Sequence, residues 1–106
     1  MTTFADREKE FENRFKHDEE LRFKTTARRN RMVGLWAAQQ LGLRAEAAEA
    51  YAKDLVAIQF QAGGDQRVLD KLFADLSAKD PAITPSRISF ELDHFTEQAK
   101  EQLMRE

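Results

Sequence analysis

Glycine and proline are scarce in this chain, and where they fall governs what it can become. Four Gly and two Pro occur in 106 residues. Five of these six breakers mark boundaries: Gly42 follows an apolar run, Gly63-Gly64 form a pair, and Pro81 and Pro85 bracket a short loop. Between them lie four stretches with helical periodicity. No run of alternating β-branched residues is long enough for a strand, and no internal repeat is present. The spacing therefore predicts an all-α fold. Short links join the last three stretches and favour antiparallel neighbours, which gives a four-helix bundle with a long first helix. A chain of this size supports one modest core.

The helix ends carry recognisable signals. Thr3 with Asp6 three residues later is a capping-box pattern. The first stretch runs from about Thr3 to Leu41, where Gly42 suits the left-handed position past a helix end and Leu43 supplies the apolar residue that follows. The second, about Arg44 to Gln61, is rich in alanine. Asp65 is expected to cap the third, in which Val68, Leu69, Leu72, Phe73 and Leu76 form an amphipathic stripe. Thr84 caps the fourth with Pro85 at its first position. Its stripe is Ile88, Leu92, Phe95, Ala99 and Leu103. The sixth breaker, Gly34, sits mid-helix at a cost of roughly 1 kcal/mol against alanine. A close helix crossing accounts for it.

The first stretch has two phases. Met32 to Ala38 is apolar nearly all round and reads as a central buried segment. Upstream, Phe4, Phe11 and Phe15 fall within about 40° of one another on a helical wheel. That stripe runs into Asp18 and Arg22, and the apolar face restarts elsewhere at Phe23, Ala27, Gly34 and Leu41. A continuous helix would point the two faces in different directions. Burying three Phe yields roughly 5–9 kcal/mol gross. Ordering some 18 backbones costs roughly 1–2 kcal/mol each. The Phe stripe thus lacks an obvious partner within the chain and is expected to fold into a groove of another protein; the alternative is that Phe11 or Phe15 folds back onto the end of the bundle. The docking reading divides the chain into a mobile docking segment, residues 1–20, and a bundle, residues 21–106.

Charge is unevenly placed. The whole chain carries 17 Lys+Arg against 19 Asp+Glu, net −2, so no global basic field argues for nucleic acid. Residues 22–31 nevertheless hold five basic residues and no acid. Arg22, Lys24, Arg28, Arg29 and Arg31 form a basic patch suited to phosphates or an acidic protein surface. A helical bundle binding phosphate or nucleic acid through this patch is the alternative reading of function.

Other chemistry is sparse. Zero Cys excludes disulfides, thiolate nucleophiles and zinc–thiolate sites. The Gly63-Gly64 pair lacks the residues of a phosphate loop. The single Glu-x-x-His, Glu91 to His94, is half of what a carboxylate-bridged metal bundle needs, so no metal site is expected. No nucleophile–base pair can be assembled, and no enzyme is expected. No apolar run of about 18 residues exists to span a membrane, and the charged N-terminus is unlike a secretory signal. Cytoplasm is the expected compartment.

The run MTTFADREKEFENRFKHDEELRFKTTARRNRMVGLWAAQQLG resembles the zeta inhibitor subunit of alphaproteobacterial F-type ATP synthases, a small family long catalogued as a domain of unknown function. The carrying features are a tail of the form FxxREKxFExxF (Phe4, Arg7, Glu8, Lys9, Phe11, Glu12, Phe15) and the ARRN…GLWAA segment from Ala27 to Ala38. The likeness covers essentially the whole chain, and its specific part is the first 42 residues. It implies a four-helix bundle with a mobile inhibitory N-terminus. That segment would enter a catalytic α/β interface of the synthase head, near the central stalk, and block ATP hydrolysis while affecting synthesis much less. Phe4, Arg7, Glu8, Phe11, Arg14 and Phe15 would then contact the partner. The resemblance calls for no cofactor, leaving room only for a small ligand such as a nucleotide between helices. It also implies a monomer when free, held at the inner membrane through the synthase, with neither membrane insertion nor bound nucleic acid.

Overall fold

A computed structural model describes residues 3–106. They form five helices and no strand: α1 (Phe4–His17), α2 (Glu19–Gln40), α3 (Ala45–Gln59), α4 (Gly64–Lys79) and α5 (Pro85–Arg105). The all-α expectation holds. The four-helix count and the single long first helix do not, because that stretch breaks at Asp18.

The break has a local cause. Asp18 adopts extended backbone angles, φ −110° and ψ 101°. Its N–H donates to the carbonyl of Arg14 at 2.8 Å and closes α1, while its carboxylate accepts from the N–H of Leu21 at 3.1 Å and caps α2. Aspartate competes for backbone donors in this way and therefore favours caps over helix interiors. Arg22 then reaches back across the break. Its Nη1 donates to the carbonyls of Phe15 at 3.1 Å and Lys16 at 2.7 Å, two of the acceptors that the last turn of a helix leaves open. The flanking charges agree with the break: Arg14, Lys16 and His17 end one helix, and Glu19 and Glu20 begin the next, each favourable to the local helix dipole.

Helix α2 is the axis of the molecule and packs against all four others. The core consists of Val33 and Ala37 from α2, Leu55 from α3, Val68, Leu72 and Leu76 from α4, and Ile88 from α5. Trp36 and Phe95 close its edge with ring centroids 6.3 Å apart. The crossing expected at Gly34 is present: a Cβ built there would lie 2.6 Å from Cα of Ala52. The end of α2 is also as expected. Gly42 has φ +79°, Leu43 N–H donates to Ala38 O at 2.8 Å and Gly42 N–H to Gln39 O at 3.1 Å, the double-bonded helix stop that a left-handed glycine permits. The start of α4 differs from expectation. Its cap is Gly63, at φ +72°, rather than Asp65. Gly64 leads the helix because a side chain there would collide with the carbonyl of Gln59.

A polar tie joins α3 to α4. The Tyr51 hydroxyl donates to Oδ2 of Asp75 at 2.8 Å. Lys71 Nζ reaches the same oxygen at 3.1 Å and lies 5.0 Å from the tyrosine ring centroid. Burial, then the hydrogen bond to Asp75 and its charge, push the tyrosine pKa well up. The folded state therefore favours the protonated phenol. Its stabilising effect is complete below the unfolded value of about 10 and declines as pH climbs above it. Since the chain has one Tyr, its ultraviolet titration is unambiguous. The phenol should resist ionisation past pH about 10 while the protein stays folded. Tyr51→Phe should flatten the alkaline loss of stability. A free-phenol titration in the folded chain would contradict this.

Candidate functional site

The sequence directs attention to the N-terminal helix, and the structure sets it apart. Helix α1 opens on a complete capping box: Asp6 N–H donates to Oγ1 of Thr3 at 3.1 Å, and Thr3 N–H donates to Oδ2 of Asp6 at 3.3 Å. The chain passes from it into α2 through the single residue Asp18, across which Arg22 bonds back to the last turn of α1. Its surroundings are α2 on one side and the end of α5 on the other.

The six expected partner-binding residues share this helix but differ in environment. Phe4 is 57% exposed. Arg7, Glu8 and Arg14 are exposed as well, with Arg14 in a loose pair to Asp18 at 3.8 Å. Phe15 is half-buried, its ring centroid 6.4 Å from that of Phe11. Phe11 is the exception, at 5% exposure. The expectation of an unpartnered Phe stripe is therefore corrected in favour of its alternative, Phe11 and Phe15 folded back onto the end of the body. The break at Asp18 reorients α1 so that Phe11 and Phe15 lie against α5, a partner that a continuous helix would have missed. A cleft of about 340 Å³ at this junction is lined by Arg7, Glu10, Phe11, Arg14, Leu103, Met104 and Glu106.

Lys100 of α5 fastens the contact. Its ammonium lies 3.2 Å from Oε1 of Glu12 and 4.4 Å from the Phe15 ring centroid. The side chain is only 14% exposed, so both interactions are partly shielded from water and stronger than their surface equivalents. Nothing in the local sequence announces Lys100 or Glu12 as partners. They are 88 residues apart in the numbering and meet only through the fold.

The basic patch is engaged within the chain. Arg22 binds the α1 carbonyls. Lys24 pairs with Glu20 at 3.3 Å, Arg28 with Glu106, and Arg31 with both carboxylate oxygens of Glu49 at 3.0 Å. Arg29 is well buried, with 17% of its side chain exposed. It donates to Oδ1 of Asn30 and Oε1 of Gln59, each at 2.9 Å. Asn30, fully buried, donates in turn to Leu55 O at 3.2 Å and Gln59 Oε1 at 2.9 Å. Burial pulls the Arg29 pKa down, and Asp65 and Asp93 oppose it. The ARRN segment thus supplies a buried polar network pinning α2 to α3. Glu91 is likewise occupied, accepting from Arg87 at 2.9 Å, while His94 Nε2 lies 3.1 Å from Gln98. Among the described residues no three His, Asp or Glu side chains gather as a metal site would require.

Fold and site together define a small all-helical body carrying a separately capped, amphipathic N-terminal helix. Such a helix, with spaced aromatic anchors, is the form in which segments dock into grooves of other proteins. The family model for ATPase inhibitor subunit zeta matches residues 1–102, and the chain belongs to that family. The family's name implies an inhibitor subunit of an ATPase. No curated protein and no solved structure matches the chain significantly.

Proposed function

We propose that this protein inhibits ATP hydrolysis by an F-type ATP synthase, and that α1 is the inhibitory element, entering a catalytic α/β interface of the head beside the central stalk. The observation that carries this reading is the arrangement of α1. It is a separately capped helix on a single-residue hinge, and it offers Phe4, Arg7, Glu8 and Arg14 to solvent. Its hold on the body is small: buried Phe11, gross about 1.5–3 kcal/mol, half-buried Phe15, the Lys100 contacts and two Arg22 hydrogen bonds, a set that a partner groove can outbid.

The mechanism is a wedge. Rotary hydrolysis needs each α/β interface to open and close in turn. A helix ordered inside one interface favours a single state by its differential affinity for that state. Phe4, Phe11 and Phe15 would supply the apolar anchors, and Arg7, Glu8 and Arg14 the polar contacts that fix orientation. The body formed by α2–α5 stays outside as a handle, and the protein acts as a non-catalytic binding subunit without cofactor. No helix among the described residues is long and apolar enough to cross a membrane. In this reading the protein is found at the membrane through the synthase.

The test is a hydrolysis assay on the isolated catalytic head, with the full chain and with a chain lacking residues 1–17. The full chain should inhibit and the shortened one should not. The shortened chain should still melt cooperatively, because it keeps Asp18 as the cap of α2 and the whole core around Val33, Leu55, Leu72 and Ile88. Equal inhibition by both chains would remove α1 from the mechanism.

A further inference from the structure

The aromatic face that would grip a partner is the face α1 lays on its own body. Phe11 is buried there, and Phe15 lies under Lys100, which also holds Glu12. A helix cannot rest on α5 and sit inside another protein with the same side chains. The two states exclude one another.

We propose that the end of α5 is a resting berth for α1, and that Lys100 is its latch, making the free chain autoinhibited. This rests on the inhibitory reading of α1. Lys100 suits the role because it belongs to α5 and so is not part of the inserting helix. It also contacts α1 twice, through charge and through the ring of Phe15. Its further neighbour, Glu97 at 3.8 Å, holds it in place from α5 itself. The hinge geometry agrees. Asp18 closes α1 through its N–H and caps α2 through its carboxylate without using α5, so α1 can leave the berth without either helix unwinding, at the cost of the two Arg22 bonds that span the break. Release uncovers Leu103 and Met104, which line the cleft beside Phe11. Apparent affinity for the synthase is then the intrinsic affinity reduced by the fraction of chains whose helix is released.

The test uses the full chain and two readouts, amide hydrogen exchange in α1 and the onset of inhibition of ATP hydrolysis by the isolated head. In Lys100→Ala, α1 amides should lose protection relative to the parent, while α2–α5 amides keep theirs. Inhibition should begin roughly fivefold faster or more, the size expected from losing a cation–π contact and a partly buried ion pair. The converse variant exploits the absence of Cys from the chain. Glu12→Cys combined with Lys100→Cys, joined by a short bis-maleimide, should protect α1 and abolish inhibition, and the unjoined double variant should inhibit like Lys100→Ala. If Lys100→Ala frees α1 and inhibits no faster, or if the joined chain still inhibits, the latch is wrong and the inhibitory reading stands. If α1 exchange is unchanged by Lys100→Ala, Lys100 is no latch. If neither parent nor released variants inhibit at all, the inhibitory reading itself fails and takes the latch with it.

Discussion

Phe4→Ala should weaken inhibition of ATP hydrolysis at least tenfold, equivalent to about 1.4 kcal/mol, without moving the melting curve of the free protein. The argument rests on what each aromatic side chain loses. Phe4 is 57% exposed in the free chain, so the burial it gains is gained on the partner and its truncation registers there. Buried aromatic anchors commonly lose about 2 kcal/mol or more when truncated. Phe11 behaves differently. It is already buried on α5, so Phe11→Ala weakens the resting and the bound state together, and part of its effect cancels. Its signature should be a loosened α1 in the free chain, with a smaller change in inhibition than its central place in the stripe suggests. Asn13, exposed and on the opposite side of the helix from Phe4, supplies the control. Parent-like inhibition by Phe4→Ala, measured by titrating the head with each variant, would exclude Phe4 as an anchor.

The second large effect is expected in the body. Gly34→Ala should cost about 3 kcal/mol, the upper part of the range for overpacking a tight core. It should lower the melting temperature by 10 °C or more, at about 4–8 °C per kcal/mol for a domain near this size. Alanine is intrinsically the better helix former by about 1 kcal/mol, so local propensity predicts the opposite sign. The contact decides. The added methyl would lie 2.6 Å from Cα of Ala52 and 3.0 Å from its Cβ, with Leu55 Cδ1 at 3.2 Å. The nearest atom is backbone and cannot rotate away, so α2 and α3 must separate. For the same reason Ala52→Gly should not rescue the variant. A circular-dichroism melt at or above the parent value would show that the helices do not cross so closely.

The corrections to the sequence reading share one origin. The two-phase pattern of the first stretch, with its stripes out of register, was visible along the chain, and so was the turn of charge from Arg14, Lys16 and His17 to Asp18, Glu19 and Glu20. Taken together those features mark a helix stop followed by a helix start. Read as a continuous helix, the same residues leave the Phe stripe facing nothing. The basic patch carried a similar ambiguity. Five cations in ten residues look like a field, yet each has a partner within the chain: a neighbouring turn for Lys24, the preceding helix for Arg22, and more distant elements for Arg28, Arg29 and Arg31; Arg29, with 17% of its side chain exposed, is part of a structural network.

Local chemistry was determined by the sequence alone. The caps at Thr3 and Thr84, the glycine stop at Gly42, the close approach at Gly34, the all-helical class and the family likeness depend on residues within one or two turns of each other or on a fixed order of residue types. Such signals act over three or four residues, the reach of a backbone hydrogen bond in a helix. What tertiary structure decided was the use made of those elements. Whether Phe11 meets water, a partner or Met104 depends on where α5 ends relative to the hinge at Asp18, and whether Glu12 finds Lys100 depends on every turn between them. Those contacts are non-local, made by parts of the chain that only the packed core around Val33, Leu55, Leu72 and Ile88 holds in register.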